Sequence, residues 1–389
     1  MKKWLSFALV LVMVFSLTAV GNAEVSGDPI LIGLTTVLTG DRSLEGEYAS
    51  NVCEIFMDEV NSAGGILGRP VKVVIEDAQG TDVGATTAWR KLASNDDIVA
   101  IIGADSSNDN IAVADLVKEN QIITIAQGSS PTLRDLCYEN PWLFQIRACD
   151  ATLCYALMDF AVTQKGFTKF AVINEQESAG VDQANLFRAA LATHNIEPVI
   201  SLSFATGTKD MTALLMQIQQ SGAEAIVGSG FPDGAAMLLQ QKMSLGMDNV
   251  VVFGSNGYAD PMTLRLAGEA ANGVYSTTHW SPDTTSPKGS ALAAKYKELY
   301  KEDCGKSASQ VYDALSVICE GIKRAGTTDR AAVRDALNTI DAFEGVMTTY
   351  DVTTNGDCGR GGLLVEIQDG VAVIVEQIEA TEKSGNPHP

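Results

Sequence analysis

The sequence predicts an α/β protein built as two Rossmann-like lobes, each around a parallel sheet. Three observations predict it. Short apolar, β-rich runs alternate with helical patterns over most of the chain. About four strand–helix units precede residue 146, and four or five follow it. The 389 residues, 46% of them apolar, exceed what one ordinary core accommodates.

The N-terminus points to a compartment. Lys2 and Lys3 form a positive segment, residues 4–20 are an apolar run, and Gly21-Asn22-Ala23 supplies small residues for a signal peptidase. That order describes a secretory signal peptide over 1–23, cleaved after Ala23. The run falls short of the roughly 20 residues that span a bilayer. No cysteine lies near the cleavage point to carry a lipid. A soluble, periplasmic protein is expected, acting as a monomer.

The formal charge is −21, and losing two lysines with the signal peptide makes it more negative. Such a chain repels nucleic acid and anionic lipid, so a nucleic-acid partner is excluded. Seven cysteines follow the signal peptide, an odd number that leaves at least one thiol outside any intramolecular disulfide. Cys53 and Cys319 sit in helical patterns and read as small core residues. The spacing leaves connectivity open.

Predicted strands lie at 30–34, 71–75, 98–102, 122–125, 170–173, 199–203, 225–228 and 250–253. Near-continuous apolar runs of this length mark strands covered on both faces. In the first helix Tyr48, Val52, Ile55, Phe56 and Val60 form one apolar stripe, which Gly64-Gly65 ends. Further helices are predicted at 83–94, 111–119, 152–165, 182–194, 211–221 and 234–245. After Trp280 the rhythm changes: helices at 287–301, 309–325 and 330–340 follow one another, then strand-like 346–352 and 363–377. Helices in series cannot start a third sheet, so they are expected to pack on the first lobe while the final strands join the second. The lobes then comprise 28–146 plus 281–345 and 147–280 plus 346–380, with a disordered tail at 381–389. More than one chain crossing favours a hinge over a loose tether.

Motifs for catalysis are absent. His194, His279 and His388 lack metal-ligand spacing, and there is no nucleophile elbow, phosphate-cradling loop or dinucleotide fingerprint. No catalytic residue, metal or cofactor is expected. What recurs is a serine-rich loop at the carboxyl end of a strand. Strand 98–102 runs into Asp105-Ser106-Ser107, and strand 122–125 runs into Ser129-Ser130-Pro131. Ligands of open α/β sheets bind at such strand ends. Helix N-termini there offer unpaired N–H groups, and hydroxyls beside them suit a carboxylate. The alternative for each serine is a helix cap.

One stretch is more specific: Ile30-Leu31-Ile32-Gly33 through Leu38-Thr39-Gly40, then Asp58-Glu59-Val60-Asn61-Ser62-Ala63-Gly64-Gly65-Ile66-Leu67-Gly68-Arg69-Pro70. Asp77, Ile101-Ile102-Gly103, Ser244-Leu245-Gly246, Tyr312-Asp313-Ala314 and Asn355-Gly356-Asp357 accompany it. By these residues the chain resembles the leucine/isoleucine/valine-binding protein family, the substrate-binding subunits of branched-chain amino-acid ABC importers. The resemblance implies a type I periplasmic-binding fold: two lobes, a three-strand hinge and a cleft that closes on ligand. It implies a small amino-acid or organic-acid ligand and membrane permease subunits as partners. It puts Ser106 or Ser107 and Ser129 or Ser130 at the carboxylate, Phe231 on the pocket wall in the second lobe, and Tyr312 on a helix bordering the cleft.

Two departures from the family pattern bear on the ligand. Asn256 stands where the family's amino-acid binders carry an acid for the ligand ammonium, and Ala179 stands where an aromatic is common. Asp105 or Glu45 could replace the acid; otherwise the ligand is an amine-free aromatic or aliphatic carboxylate. The expected function is extracytoplasmic solute binding for an importer, not catalysis, with a ligand-sensing receptor domain as the competing class.

Overall fold

The computed structural model describes residues 25–40, 42–284 and 286–379, apart from the Ser178 side chain. The expected signal peptide (1–23) and tail (381–389) lie outside the described residues. Five parallel strands make the first sheet: β1 (Ile30–Thr36), β2 (Val71–Asp77), β3 (Ile98–Ile102), β4 (Ile123–Ala126) and β5 (Leu143–Gln145). Their order is β2-β1-β3-β4-β5. Every residue of β3 is buried, as its unbroken apolar sequence requires.

Helices α1 (Ser43–Ser62), α2 (Asp82–Ala93), α3 (Ser107–Asn120) and α4 (Pro131–Glu139) connect these strands. The stripe predicted on α1 is buried at Tyr48, Val52, Ile55 and Phe56. The sequence reading missed α4 and β5. Yet α4 carries a good start signal: Ser130 Oγ accepts from the Leu133 amide at 3.3 Å, and Pro131 opens the helix.

The second sheet has seven strands. After α5 (Asp150–Asp159), continued by a π-helical turn over Phe160–Gln164, come β6 (Phe170–Glu175), α6 (Ser178–Thr193), β7 (Ile200–Phe204), α7 (Thr212–Ser221) and β8 (Ala225–Ser229). Then follow α8 (Pro232–Ser244), β9 (Val251–Gly254), α9 (Pro261–Ala267) and β10 (Tyr275–Thr278). These five strands are parallel. Next, α10 (Pro287–Tyr300), α11 (Lys306–Ala325) and α12 (Arg330–Leu337) share one core with the first sheet, and α11 lies against α1.

The end of the chain departs from expectation in two places. Residues 346–352 are not a strand of the second sheet. They form part of a short hairpin, β11 (Phe343–Glu344) with β12 (Thr349–Tyr350), and Val346, Tyr350, Val352 and Cys358 sink into the first core. Asp313 on α11 holds the segment there. Its carboxylate accepts from the amides of Val346 (2.7 Å) and Met347 (3.0 Å) and from the Tyr350 hydroxyl (2.6 Å). The predicted strand 363–377 is instead two antiparallel strands, β13 (Gly361–Gln368) and β14 (Val371–Glu379). Asp369 and Gly370 both adopt positive φ (50° and 80°), the turn that a tight two-residue hairpin demands. The sheet order is β14-β13-β10-β9-β8-β6-β7.

The chain passes between the two cores after β5, after β10 and before β13. The crossings are tied together: the His279 ring nitrogen Nε2 sits 3.1 Å from the Ala148 carbonyl, and the Cys149 amide donates to Asp357. All seven cysteines are buried free thiols, and burial raises the Cys53 thiol to about 12, so they act as core side chains. Among the described residues no helix is long and apolar enough to cross a membrane. Asp313→Ala would leave two backbone amides and a phenol without their acceptor. A loss of about 3 kcal/mol is expected in urea unfolding, with unchanged stability as the contrary result.

Candidate functional site

The two sheets present the carboxyl ends of their strands to one cavity of about 160 Å³. The first lobe contributes the loops after β1, β3 and β4, and the second contributes those after β6, β8 and β9. Ser106, Ser107, Ser129, Ser130, Asp105, Glu45, Phe231 and Asn256 all line it. Eight of the nine residues singled out from the sequence are thus gathered, from loops up to 211 positions apart.

Tyr312 is the correction. It points away from the cavity: its hydroxyl donates to Glu59 at 2.7 Å, and its ring meets Phe56 edge-on at 5.2 Å. The helical period explains this, since Lys306 at the start of α11 already faces the cavity and Tyr312 falls on another side of the helix.

The serines are not equivalent. Ser107 Oγ accepts from the amides of Ser129 and Ser130, each at 3.1 Å, which leaves its own hydrogen free to donate. Ser130 Oγ, accepting from Leu133, is left in the same condition. Ser106 stands at the N-cap of α3, but its side chain makes no cap bond. Ser129 donates to Asp150 Oδ1 at 2.7 Å, and Gln183 Nε2 reaches the other oxygen of Asp150 at 3.2 Å. Two amides expected to be open to a ligand are therefore already taken by Ser107. The donors that remain are hydroxyls, and a cation joins them. Gly128 makes this possible: a Cβ there would lie 2.6 Å from both Cα and Oγ of Ser107.

Sequence reasoning missed most of the charge. Arg42, Arg147 and Lys306 line the cavity with Asp150, Glu177, Asp182 and Asp260. Arg147, only 5% exposed, follows β5; with that strand unread, nothing marked it as a strand-end residue. Lys306 pairs with Asp105 at 3.2 Å, and Arg42 lies 3.7 Å from Glu45 and 3.5 Å from Asp109. Gln310, with its amide turned to satisfy both ends, donates to Asp105 at 2.7 Å and accepts from Arg147 at 2.9 Å.

These contacts set the protonation states. Burial pushes the Asp105 carboxyl up, but Lys306, Arg147 and Arg42 together outweigh it and hold it at about 2. Glu45 goes the other way: burial first, then the Asp105 charge, raise it to about 7. Burial also raises Glu177, Asp182 and Asp260, all on the second lobe. Glu177 accepts from the amides of Ala179 and Gly180 and Asp260 from that of Met262, and the charges of Lys306 and Arg265 act on Asp260. The cations lining the cavity are Arg42, Arg147 and Lys306. Arg42 and Lys306 come from the first lobe and Arg147 from the crossing after β5, while carboxylates come from both lobes, Glu45 and Asp105 on the first and Glu177, Asp182 and Asp260 on the second. No cluster suited to a metal ion occurs among the described residues.

A fold with two strand-end faces meeting over one polar cavity defines a class of ligand-binding proteins, and the comparisons identify the family. Residues 29–371 match the periplasmic binding protein model, and the chain belongs to that family. It is 28% identical over 345 residues to Leu/Ile/Val-binding protein homolog 3 of Brucella melitensis, covering 87% of this chain and 91% of the relative. Its fold is that of a leucine-binding protein from Thermotoga maritima (TM-score 0.82, 22% identity, 90% and 99% of the two chains covered). It is also that of a branched-chain amino-acid transporter substrate-binding protein from Streptococcus pneumoniae, solved with isoleucine (TM-score 0.81, 21% identity, 91% and 100% covered).

Gly128→Ala would push a methyl into the Ser107 backbone and part the two serine loops. Unfolding stability is expected to fall by roughly 1–3 kcal/mol, where an ordinary surface glycine would show almost no change.

Proposed function

We propose that the protein captures a small α-amino acid in the cavity between its lobes and delivers it to the permease of an ABC importer. The observation that supports this is a cavity lined by both signs of charge, the cations Arg42, Arg147 and Lys306 with six carboxylates. The ligand carboxylate meets Arg147 and the hydroxyls of Ser106, Ser107 and Ser130. Its ammonium meets the carboxylates of the second lobe, Asp260 foremost, with Glu45 beside Arg42. Asn256 then adds a neutral hydrogen bond and need not carry a charge.

An amine-free carboxylate would bring no positive charge to Glu177, Asp182 and Asp260, whose carboxyls burial already raises. The names of the relatives, which bind branched-chain amino acids, support the same class. Lobes 28–146 plus 281–360 and 147–280 plus 361–379 would close about the three crossings. A ligand shifts that equilibrium only through contacts made with both lobes at once. The family is one of exported binding proteins rather than enzymes, which agrees with a signal peptide at 1–23.

Two outcomes are expected in calorimetry with leucine. Arg147→Met and Ser107→Ala should each weaken binding at least about tenfold, with melts of the free proteins recorded alongside; unaltered affinity in both would move the carboxylate elsewhere. Affinity should also strengthen as pH rises through about 7, the Glu45 value, and then level off. A cation beside Glu45 favours its ionised form, so below that pH binding releases protons. Affinity that weakens over this range contradicts the assignment of Glu45 to the ammonium side.

A further inference from the structure

A carboxylate lies buried directly behind the second-lobe wall of the cavity. Glu175 ends β6 and is wholly buried. Its Oε2 accepts from the Phe231 amide at 2.8 Å, while its Oε1 has no hydrogen-bond partner among the described residues. The layer in front of it is Gly230, which lines the cavity. A Cβ at Gly230 would meet Glu175 Oε2 at 2.8 Å and Glu175 Cβ at 2.9 Å, and a Cβ at Gly234 would stand 3.1 Å from the same oxygen. The backbone makes room for this acid at two positions.

A buried carboxylate with one hydrogen bond is costly unless positive charge lies near. The start of α8 supplies part of it. A helix N-terminus opening on a cavity ordinarily seats a ligand carboxylate, and Phe231 and Pro232 bring that of α8 to this one. Here the Phe231 amide is spent on Glu175, Pro232 has no N–H, and Asp233 adds a negative charge in the first turn. The field of Glu175 also reaches a lining residue: burial raises the Glu177 carboxyl, and the charges of Glu175 and Asp182 add to it. Building on the reading of the cleft as a zwitterion site, we propose that Glu175 determines which way round the ligand sits. From behind the wall it makes the second-lobe face the ammonium side and bars a ligand carboxylate from the start of α8. It is a positioning residue, acting through Gly230 and Phe231 without lining the cavity itself.

The test is the ratio of affinities for leucine and 4-methylpentanoate, read by calorimetry in the wild type and in Glu175→Gln. Glutamine keeps an acceptor for Phe231 and loses the charge, so the preference for leucine should fall at least about fivefold. Glu175→Asp, which keeps the charge, should hold the ratio even where both affinities drop. Glu175→Met is a second neutral variant in case the glutamine form does not fold, and thermal melts of each free protein identify the folded ones. A role confined to packing would lower both affinities together. An unaltered ratio in a folded neutral variant therefore overturns the proposal, as does a ratio that falls as far in Glu175→Asp. A wild type that does not favour leucine is a separate failure, which overturns the zwitterion reading before any variant is compared.

Discussion

A carboxylate taken out of water must be met by positive charge or take up a proton, and Asp105 sits where that constraint shapes the whole cleft. It lies just beyond β3, at the carboxyl edge of the first sheet. Lys306 reaches it from the start of α11, while Arg147 and Arg42 add their fields. Those partners come from a returning helix, a lobe crossing and the loop after β1. Satisfying one acid thus fixes three separate stretches of chain around one point. It also commits Lys306, Arg147 and Arg42 to a cavity that Glu177, Asp182 and Asp260 line from the other lobe. Glu45, a few residues from Arg42, shows the opposite outcome: buried near Asp105, it is pushed up to about 7.

The hinge follows from the same economy of contacts. Three crossings lie side by side, and polar groups on one satisfy another: His279 beside the Ala148 carbonyl, Asp357 accepting from Cys149. Asp150, just past the first crossing, takes Ser129 from the first lobe and Gln183 from the second. These bonds tie the crossings to one another and to both lobes.

The sequence alone revealed the strands best where a run was long and apolar, as for β3, and the serine loops followed from knowing which strand ends they occupy. β5 is three residues long and β10 is Tyr-Ser-Thr-Thr, so neither shows the periodicity by which strands are read. With β5 unread, Arg147 had no place. Lys306 was illegible for another reason: its partner Asp105 is 201 residues away, and only the packing of α11 brings them together. Tyr312 failed because a position matched along a helix says nothing of which face it occupies. The Asp369-Gly370 turn, by contrast, was a readable hairpin signal inside a segment taken as one strand.

The proposed recognition of both ends of a zwitterion in the cleft is the point on which the rest turns. Titration of leucine against 4-methylpentanoate, the same molecule without its ammonium, tests it most directly. Leucine should bind at least about tenfold more tightly, with the difference shrinking as pH falls below about 7. Equal affinity, or tighter binding of the amine-free acid, would contradict the assignment of the second-lobe carboxylates to the ligand.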